Sequence, residues 1–293
     1  MNAPRSLTAG LIGRGILASQ SPAIHEAEAF DHGVALAYML VDFDHLGLDD
    51  AALGDTLAFL RGVGLTGVNI THPFKQCVIP LLDEVDATAQ ALGAVNCVRF
   101  EEGRTIGFNS DWVGFCWLLE SELPGRSLER VAQTGAGGAG SATAWALLSM
   151  GTRELRLHDV SYERSTALAE RLRAHFPEAR VEVCDHAAEA IAGADGVVQS
   201  TPVGMTDHPG MPFAAELLRA GQWLADVIYF PRESELVLAA RARGLAAVGG
   251  EAMVVGQAAD PFRRFTGLEP DRARMMRKLR ERLAPRTPQG ALP

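Results

Sequence analysis

Val131-Ala132-Gln133-Thr134-Gly135-Ala136-Gly137-Gly138-Ala139-Gly140-Ser141 runs from a short strand-like segment through a glycine loop of the form G-x-G-x-x-G into an Ala-rich helical segment, 141–150. Each glycine has a physical reason: the first makes the tight turn, the second lets a pyrophosphate approach the backbone, and the third allows close helix–strand packing. Strand, loop and helix in that order mark a dinucleotide-binding turn. Gly135, Ala136, Gly137, Gly138 and Ala139 are its candidate cofactor contacts; a merely tight βα turn is the plain alternative. Residues 131–152 carry no charge and could span a bilayer by length, but Gln133, Thr134, Ser141 and the glycines read as a buried strand, turn and helix.

Working outward, strands are expected at 131–134, 154–159, 180–183, 196–200 and 223–227, with helices at 138–150, 162–175 and 187–191 between the first four. That alternation predicts a doubly wound parallel sheet of the dinucleotide-binding type. Asp159 ends the second of these strands, 24 residues after Gly135, where a carboxylate would accept hydrogen bonds from an adenosine ribose and repel a 2′-phosphate. NAD is therefore favoured over NADP as the cofactor. Asp159 and Ser161 also suit helix capping, and Arg164 reads as a solvated residue of the following helix.

Upstream, strands at 9–12, 37–41, 67–70 and 95–98 alternate with helical patterns at 22–31, 48–61 and 74–82, which predicts a parallel αβα unit. Glu101-Glu102-Gly103-Arg104 reads as a hairpin turn between 96–100 and 105–108, placing an antiparallel pair at one edge. A helix at 112–123 leads to the break at Pro124-Gly125. The chain closes with helices at 252–266 and 270–283, expected to return to the first domain, and a Pro-rich tail. The domains are thus 1–111 completed by 251–293, and 112–250.

The 293 residues are 47% apolar and 22% charged, close to globular averages, which excludes wholesale disorder and fibrous repeats. A formal net charge of −9 disfavours nucleic acid and anionic membranes as partners. The basic run from Arg272 to Arg282 is interleaved with Met275, Met276, Leu279 and Leu283 and reads as an amphipathic surface helix. Cys77, Cys97, Cys116 and Cys184 show no paired spacing, so neither disulfides nor a metal site is indicated. The N-terminal segment lacks a secretory core, and a cytoplasmic protein is expected.

Two groups in the first domain carry chemistry. Gly67-Val68-Asn69-Ile70-Thr71-His72-Pro73-Phe74-Lys75 places a lysine on the first turn of the expected helix 74–82, where the macrodipole disfavours a cation. Gly107-Phe108-Asn109-Ser110-Asp111-Trp112 places an aspartate at the expected N-cap of the linking helix. A Lys75–Asp111 pair at a cleft facing a dinucleotide suits carbonyl reduction, one group passing a proton and the other holding it, with hydride from a nicotinamide. The hydroxyl-rich Ala18-Ser19-Gln20-Ser21-Pro22 loop can hold a polyhydroxylated acid, or form a helix N-cap at Ser21.

Ser19-x-Ser21-Pro22-x-x-His25, Asn69-Ile70-Thr71-x-Pro73-x-Lys75, Gly93-Ala94-Val95-Asn96, Asn109-Ser110-Asp111-x-x-Gly114, the Gly135 loop, Thr201-Pro202-Val203-Gly204-Met205 and Gly256-Gln257-Ala258-Ala259 follow one another in the order found in the shikimate dehydrogenase family, which the chain resembles over about residues 10–267. The resemblance implies a catalytic domain, a Rossmann domain and a cleft between them. The implied reaction is NAD(P)-linked interconversion of shikimate and 3-dehydroshikimate, or of quinate and dehydroquinate. The substrate is thus a small polyhydroxylated cyclohexene or cyclohexane carboxylate. The resemblance makes Lys75 and Asp111 the catalytic pair, and gives Ser19, Ser21, Thr71, Asn96, Tyr229 and Gln257 to the substrate. Thr201, Pro202, Val203 and Met205 would line the nicotinamide side. Ser19 and Ser21 resemble the pair of shikimate-preferring members.

The chain departs from the family pattern at His158-Asp159-Val160, where biosynthetic members carry an Asn-Arg-Thr-like segment. It also departs at Gln199, at Gln133-Thr134 within a normally apolar strand, and at Gly13-Arg14-Gly15. An S-adenosylmethionine methyltransferase would share the glycine loop and acidic residue without needing the Lys75–Asp111 pair. A dinucleotide-sensing paralogue without turnover is the non-enzyme alternative. The oligomeric state stays open.

Overall fold

Two six-stranded sheets form among residues 6–283, which the computed structural model describes. The first five residues of the expected N-terminal domain and the Pro-rich tail, 284–293, lie outside the described residues. The first sheet is built from β1 (Ser6–Gly13), β2 (Ala35–Asp42), β3 (Gly67–Ile70), β4 (Glu84–Val85), β5 (Cys97–Glu101) and β6 (Arg104–Phe108), in the order β2-β1-β3-β5-β6-β4. β1 pairs parallel with β2 and β3, whereas β5 is antiparallel to both β3 and β6. The hairpin expected at one edge is therefore covered by the two-residue β4, parallel to β6.

Around this sheet lie α1 (Ser21–Asp31), α2 (Phe43–Leu46), α3 (Leu53–Gly62) and α4 (Ala87–Leu92), and α5 (Asp111–Glu122) leaves it for the second sheet. The apolar residues that set the helical pattern of α3, Leu53, Leu57 and Leu60, are buried against Ile12, Val68 and Phe74. The helix expected at 48–61 begins only at Leu53. The carbonyl of Leu48 accepts from Arg14 Nη2 at 3.0 Å, and the side chain of Asp49 caps a separate 3₁₀ turn at Asp50–Ala52. Neither group is left to start an α-helix.

The helix expected at 74–82 does not form. Residues 72–78 are turns, and Ile79–Leu81 is a 3₁₀ turn. Pro80 has no N–H to give the carbonyl four residues back, and the carbonyl of Lys75 is taken by the backbone N–H of Val95 at 2.8 Å. Lys75 thus sits in a turn, and a helix macrodipole says nothing about its purpose.

The second sheet is parallel throughout, in the order β12-β11-β10-β7-β8-β9. Its elements are β7 (Arg130–Thr134), α6 (Gly138–Ser149), β8 (Glu154–His158), α7 (Tyr162–His175), β9 (Arg180–Val183), α8 (Ala187–Ile191), β10 (Gly196–Gln199), β11 (Trp223–Asp226), α9 (Glu235–Ala242) and β12 (Ala246–Val248). This is the doubly wound order, with the strand sequence reversing between β7 and β10 at the mouth of the glycine loop. Leu147, Leu155, Leu168 and Val198 fill one side of the sheet, and Ala132, Val197, Leu224 and Leu236 the other.

α10 (Glu251–Thr266) returns along α5, and α11 (Arg272–Leu283) packs Met275, Met276 and Leu279 beneath α1 and α10. Arg274, Lys278 and Arg280 of α11 are spent on carboxylates of the same chain. Arg274 holds the fully buried Glu28 at 2.5 Å, and Arg280 reaches Glu251 at 3.1 Å.

Candidate active site

Lys75 Nζ lies 2.6 Å from Asp111 Oδ2. Their side chains are 31% and 7% exposed, so the cation faces a cleft and the carboxylate lies behind it. Asp111 is the first residue of α5. The N-cap is Ser110, whose side chain makes no capping bond, so the expected N-cap role of Asp111 is not met. Its carboxylate is free of backbone duty and its charge suits the positive end of the helix.

A polar network aims that carboxylate. Asn96 Nδ2 donates to Asp111 Oδ1 at 2.8 Å, while Asn96 Oδ1 accepts from the backbone N–H of Ser110 at 2.8 Å. The Ser110 hydroxyl donates to the carbonyl of Gln257 at 2.9 Å. That carbonyl is available because Pro261, inside α10, has no N–H to give it. One missing helix bond therefore ties α10, with its Gln257, to the Lys75–Asp111 pair.

Ser19 and Ser21 stand on the next wall. Ser19 Oγ accepts from the backbone N–H of Ser21 at 3.2 Å and lies 3.1 Å from Ser21 Oγ. Gln20 is the N-cap of α1 and makes no side-chain cap, so Ser21 is the first helical residue and not the expected cap. Thr71 continues from β3 into the same cleft.

Asn69, Tyr38 and His25 received no role from the sequence. Asn69 lines the cleft, accepts from the Tyr38 hydroxyl at 2.7 Å and donates to the carbonyl of Asn96 at 3.1 Å. Burial pushes the Tyr38 phenol well above its ordinary range, so it remains a neutral donor. His25 stacks on Tyr38 with ring centroids 4.6 Å apart, and burial lowers its pKa to about 3. The signal for Asn69 was present: an amide in an otherwise apolar strand.

Opposite stands the glycine loop. The cleft, about 930 Å³, is lined on this side by Gly137, Gly138, Ala139, Thr201, Pro202, Met205 and Tyr229, and on the other by Ser19, Ser21, Thr71, Lys75, Asn96, Asp111 and Gln257. A Cβ built on Gly137 or Gly138 would meet no protein atom within 4 Å, which is the open backbone cradle a pyrophosphate needs. Gly135, Ala136, Asp159 and Val203 do not line the cleft. Gly135 and Ala136 form the buried base of the loop. The carbonyl of Val203 accepts from Gln199 Nε2 at 2.8 Å.

Asp159 follows β8 and is held by its neighbours. Its Oδ2 accepts from the backbone N–H of Ala136 and its Oδ1 from that of Ser161, each at 2.8 Å. Arg164, on α7 and exposed to solvent as expected, also pairs with Oδ1 at 2.9 Å. Burial opposes ionisation of Asp159, but the N–H bonds from Ser161 and Ala136 and the Arg164 charge outweigh it, keeping the carboxyl below its ordinary pKa. Ser161 caps α7, leaving Asp159 to the glycine loop.

Beyond Asp226, which ends β11, the loop bearing Tyr229 is tied to α9: Asp226 accepts from Ser234 Oγ at 2.6 Å and from the backbone N–H of Ile228 at 3.0 Å. Among the described residues no three or more His, Cys, Asp or Glu side chains converge on a metal site. No described helix is long and apolar enough to cross a membrane.

Residues 11–98 match the family described as the shikimate dehydrogenase substrate binding domain. Shikimate dehydrogenase (NADP(+)) of Streptomyces avermitilis is 48% identical over 278 residues, covering 94% of this chain and 96% of the relative. Quinate/shikimate dehydrogenase (NAD(+)) of Corynebacterium efficiens is 45% identical over 277 residues, covering 92% and 96%. Quinate dehydrogenase from Corynebacterium glutamicum, solved in complex with NAD, superposes with a TM-score of 0.90 at 42% identity, covering 94% of this chain and 99% of that one.

Proposed function

The chain belongs to the shikimate dehydrogenase family, and from that premise we propose that it interconverts shikimate and 3-dehydroshikimate, with quinate as a second substrate. The observation that carries the reading is the 2.6 Å Lys75–Asp111 pair set across the cleft from the open glycine loop. A methyltransferase, raised by the glycine loop, is displaced by the family. A sensing paralogue would have no use for the pair.

In the oxidising direction Asp111 takes a proton from the Lys75 ammonium, and the amine so formed takes the proton of the substrate hydroxyl, leaving Lys75 again a cation and Asp111 neutral beside it. Reduction runs the same transfer in reverse. A nicotinamide cofactor, when bound, accepts or supplies the hydride. Asn96 orients Asp111, while Ser19, Ser21, Thr71, Tyr229 and Gln257 are positioned to hold carboxylate and hydroxyls. In this reading 1–111 with 251–293 form the substrate unit and 112–250 the cofactor unit.

NAD is the preferred cofactor in this reading. Asp159 stands at the end of β8 with its anionic form favoured, and Val160 occupies the next position, so a 2′-phosphate would meet a carboxylate whose one cation is already paired. The four unpaired cysteines suit a reducing cytoplasm. The test is NADH formation on adding shikimate and NAD. Absence of turnover with shikimate or quinate on either cofactor overturns the assignment.

A further inference from the structure

Gln133 is a buried amide at the next-to-last position of β7, at 0% exposure, where an apolar residue would fill the space at no polar cost. Its Nε2 donates to the carbonyl of Gly135 at 2.9 Å and to that of Gly140 at 2.8 Å, the first and last glycines of the loop. Its Oε1 lies 2.8 Å from Thr143 Oγ1, which fixes the amide's orientation from α6.

Because a trans peptide points its C=O and N–H in opposite directions, the Gly135–Ala136 peptide is clamped from both sides. Gln133 holds its oxygen, and Asp159 accepts its N–H at 2.8 Å. At the other end Gln133 holds the oxygen of Gly140, while the following N–H, of Ser141, donates to the carbonyl of Gly137 at 2.8 Å. Between the clamps Gly137 and Gly138 are exposed, and the N–H groups of the first turn of α6 have no carbonyl four residues back.

We propose that Gln133 is a positioning residue for the cofactor pyrophosphate, setting the span and tilt of the loop so that the N–H groups of 137–139 converge on the cleft. The inference rests on the reading that this loop cradles the pyrophosphate. It gives a purpose to a polar residue that the dehydrogenase chemistry leaves unused.

The experiment compares Gln133→Met, the double variant Gln133→Met/Thr143→Val, and Gly137→Ala by titration with NADH, ADP-ribose and shikimate, alongside steady-state kinetics. The double variant keeps the question open to test if the single one is unstable, since it removes both partners of the Gln133–Thr143 bond together. For both Gln133 variants the Kd for NADH and for ADP-ribose should rise on the order of tenfold, the worth of one lost hydrogen-bonded contact. The shikimate KM and kcat at saturating NAD should stay near wild type. ADP-ribose binding within twofold of wild type, or equal loosening of shikimate and ADP-ribose, overturns the proposal. Gly137→Ala separates the two levels, because its Cβ meets no protein atom. Weakened ADP-ribose binding in Gly137→Ala with none in the Gln133 variants removes only the role of Gln133. No weakening in Gly137→Ala removes the loop reading, and the proposal with it.

Discussion

Gly114 of α5 and Gly256 of α10 meet backbone to backbone: a Cβ built on Gly256 would stand 2.7 Å from the Cα of Gly114. A Cβ on Gly114 would in turn lie 2.5 Å from the carbonyl oxygen of Met253 and 2.7 Å from the backbone N of Gln257. The two helices approach this closely because neither presents a side chain, and the approach brings Gln257 to Ser110 and the Lys75–Asp111 pair.

Gly114→Ala is therefore expected to push α10 outward. Overpacking of this kind costs about 1–3 kcal/mol, and the shikimate KM should rise because Gln257 moves, while NADH affinity stays unchanged. Thermal unfolding and kinetics on the one variant check both effects. Unaltered stability and KM would show that the helices can part without consequence.

Lys75→Ala and Asp111→Asn should each lower kcat, by about 10²–10⁴-fold for the lysine, the usual contribution of a positioned acid–base group. Asp111→Asn keeps the shape but can neither take the proton nor counter the ammonium. Circular dichroism establishes that the fold persists, and near-wild-type kcat in Lys75→Ala would sink the assignment.

Asp159 predicts a cofactor preference for NAD on the order of 10²-fold in kcat/KM, from hydrogen bonds to a charged acceptor that NADP forfeits and the repulsion it gains. Asp159→Ala frees Arg164 to face a 2′-phosphate, so the gap should narrow or invert. Equal use of both cofactors by the wild type would remove Asp159 from the recognition of the ribose.

Ser19 and Ser21 predict that shikimate exceeds quinate in kcat/KM, because quinate brings a tertiary hydroxyl where shikimate has a ring double bond. Ser21→Thr is expected to move the ratio toward quinate. A tenfold preference of the wild type for quinate would refute the serine-based reading.

Asp226 supplies a pH test. Burial raises its pKa from 3.8 to about 6, against the opposing bonds from Ser234 and Ile228. Between those values the folded state binds more protons than the unfolded one, so this residue's contribution falls as pH rises through the window, by up to about 3 kcal/mol. Asp226→Asn should therefore gain stability relative to wild type as pH rises from about 4 to about 7, read by urea unfolding at each pH. A difference that does not change with pH would mean that Asp226 is solvated in the native protein.

Much of the second sheet was legible because its signals are local. The glycine loop, the strands flanking it and the acidic residue after β8 each follow from a few neighbouring residues. In the first domain the same reasoning erred at 74–82 and 48–61. There, apolar spacing suited a helix, but distant groups took the carbonyls a helix needs: Val95 that of Lys75 and Arg14 that of Leu48. α4 and α9 are short, eight residues or fewer, and were missed where their periodicity is brief.

By itself the sequence determined the class of fold, the presence of a glycine loop between strand and helix, and the residue types able to move a proton, since these depend on backbone conformation and side-chain chemistry over short stretches. Only the tertiary structure decided that Lys75 and Asp111, 36 residues apart, stand at 2.6 Å, and that Asn69 and Tyr38 join their surroundings. It also decided that Arg164 is spent on Asp159 and that Gln133 braces the loop from beneath. Hydrogen bonds and ion pairs select partners by distance and direction, and those are fixed by how the sheets and helices pack rather than by spacing along the chain.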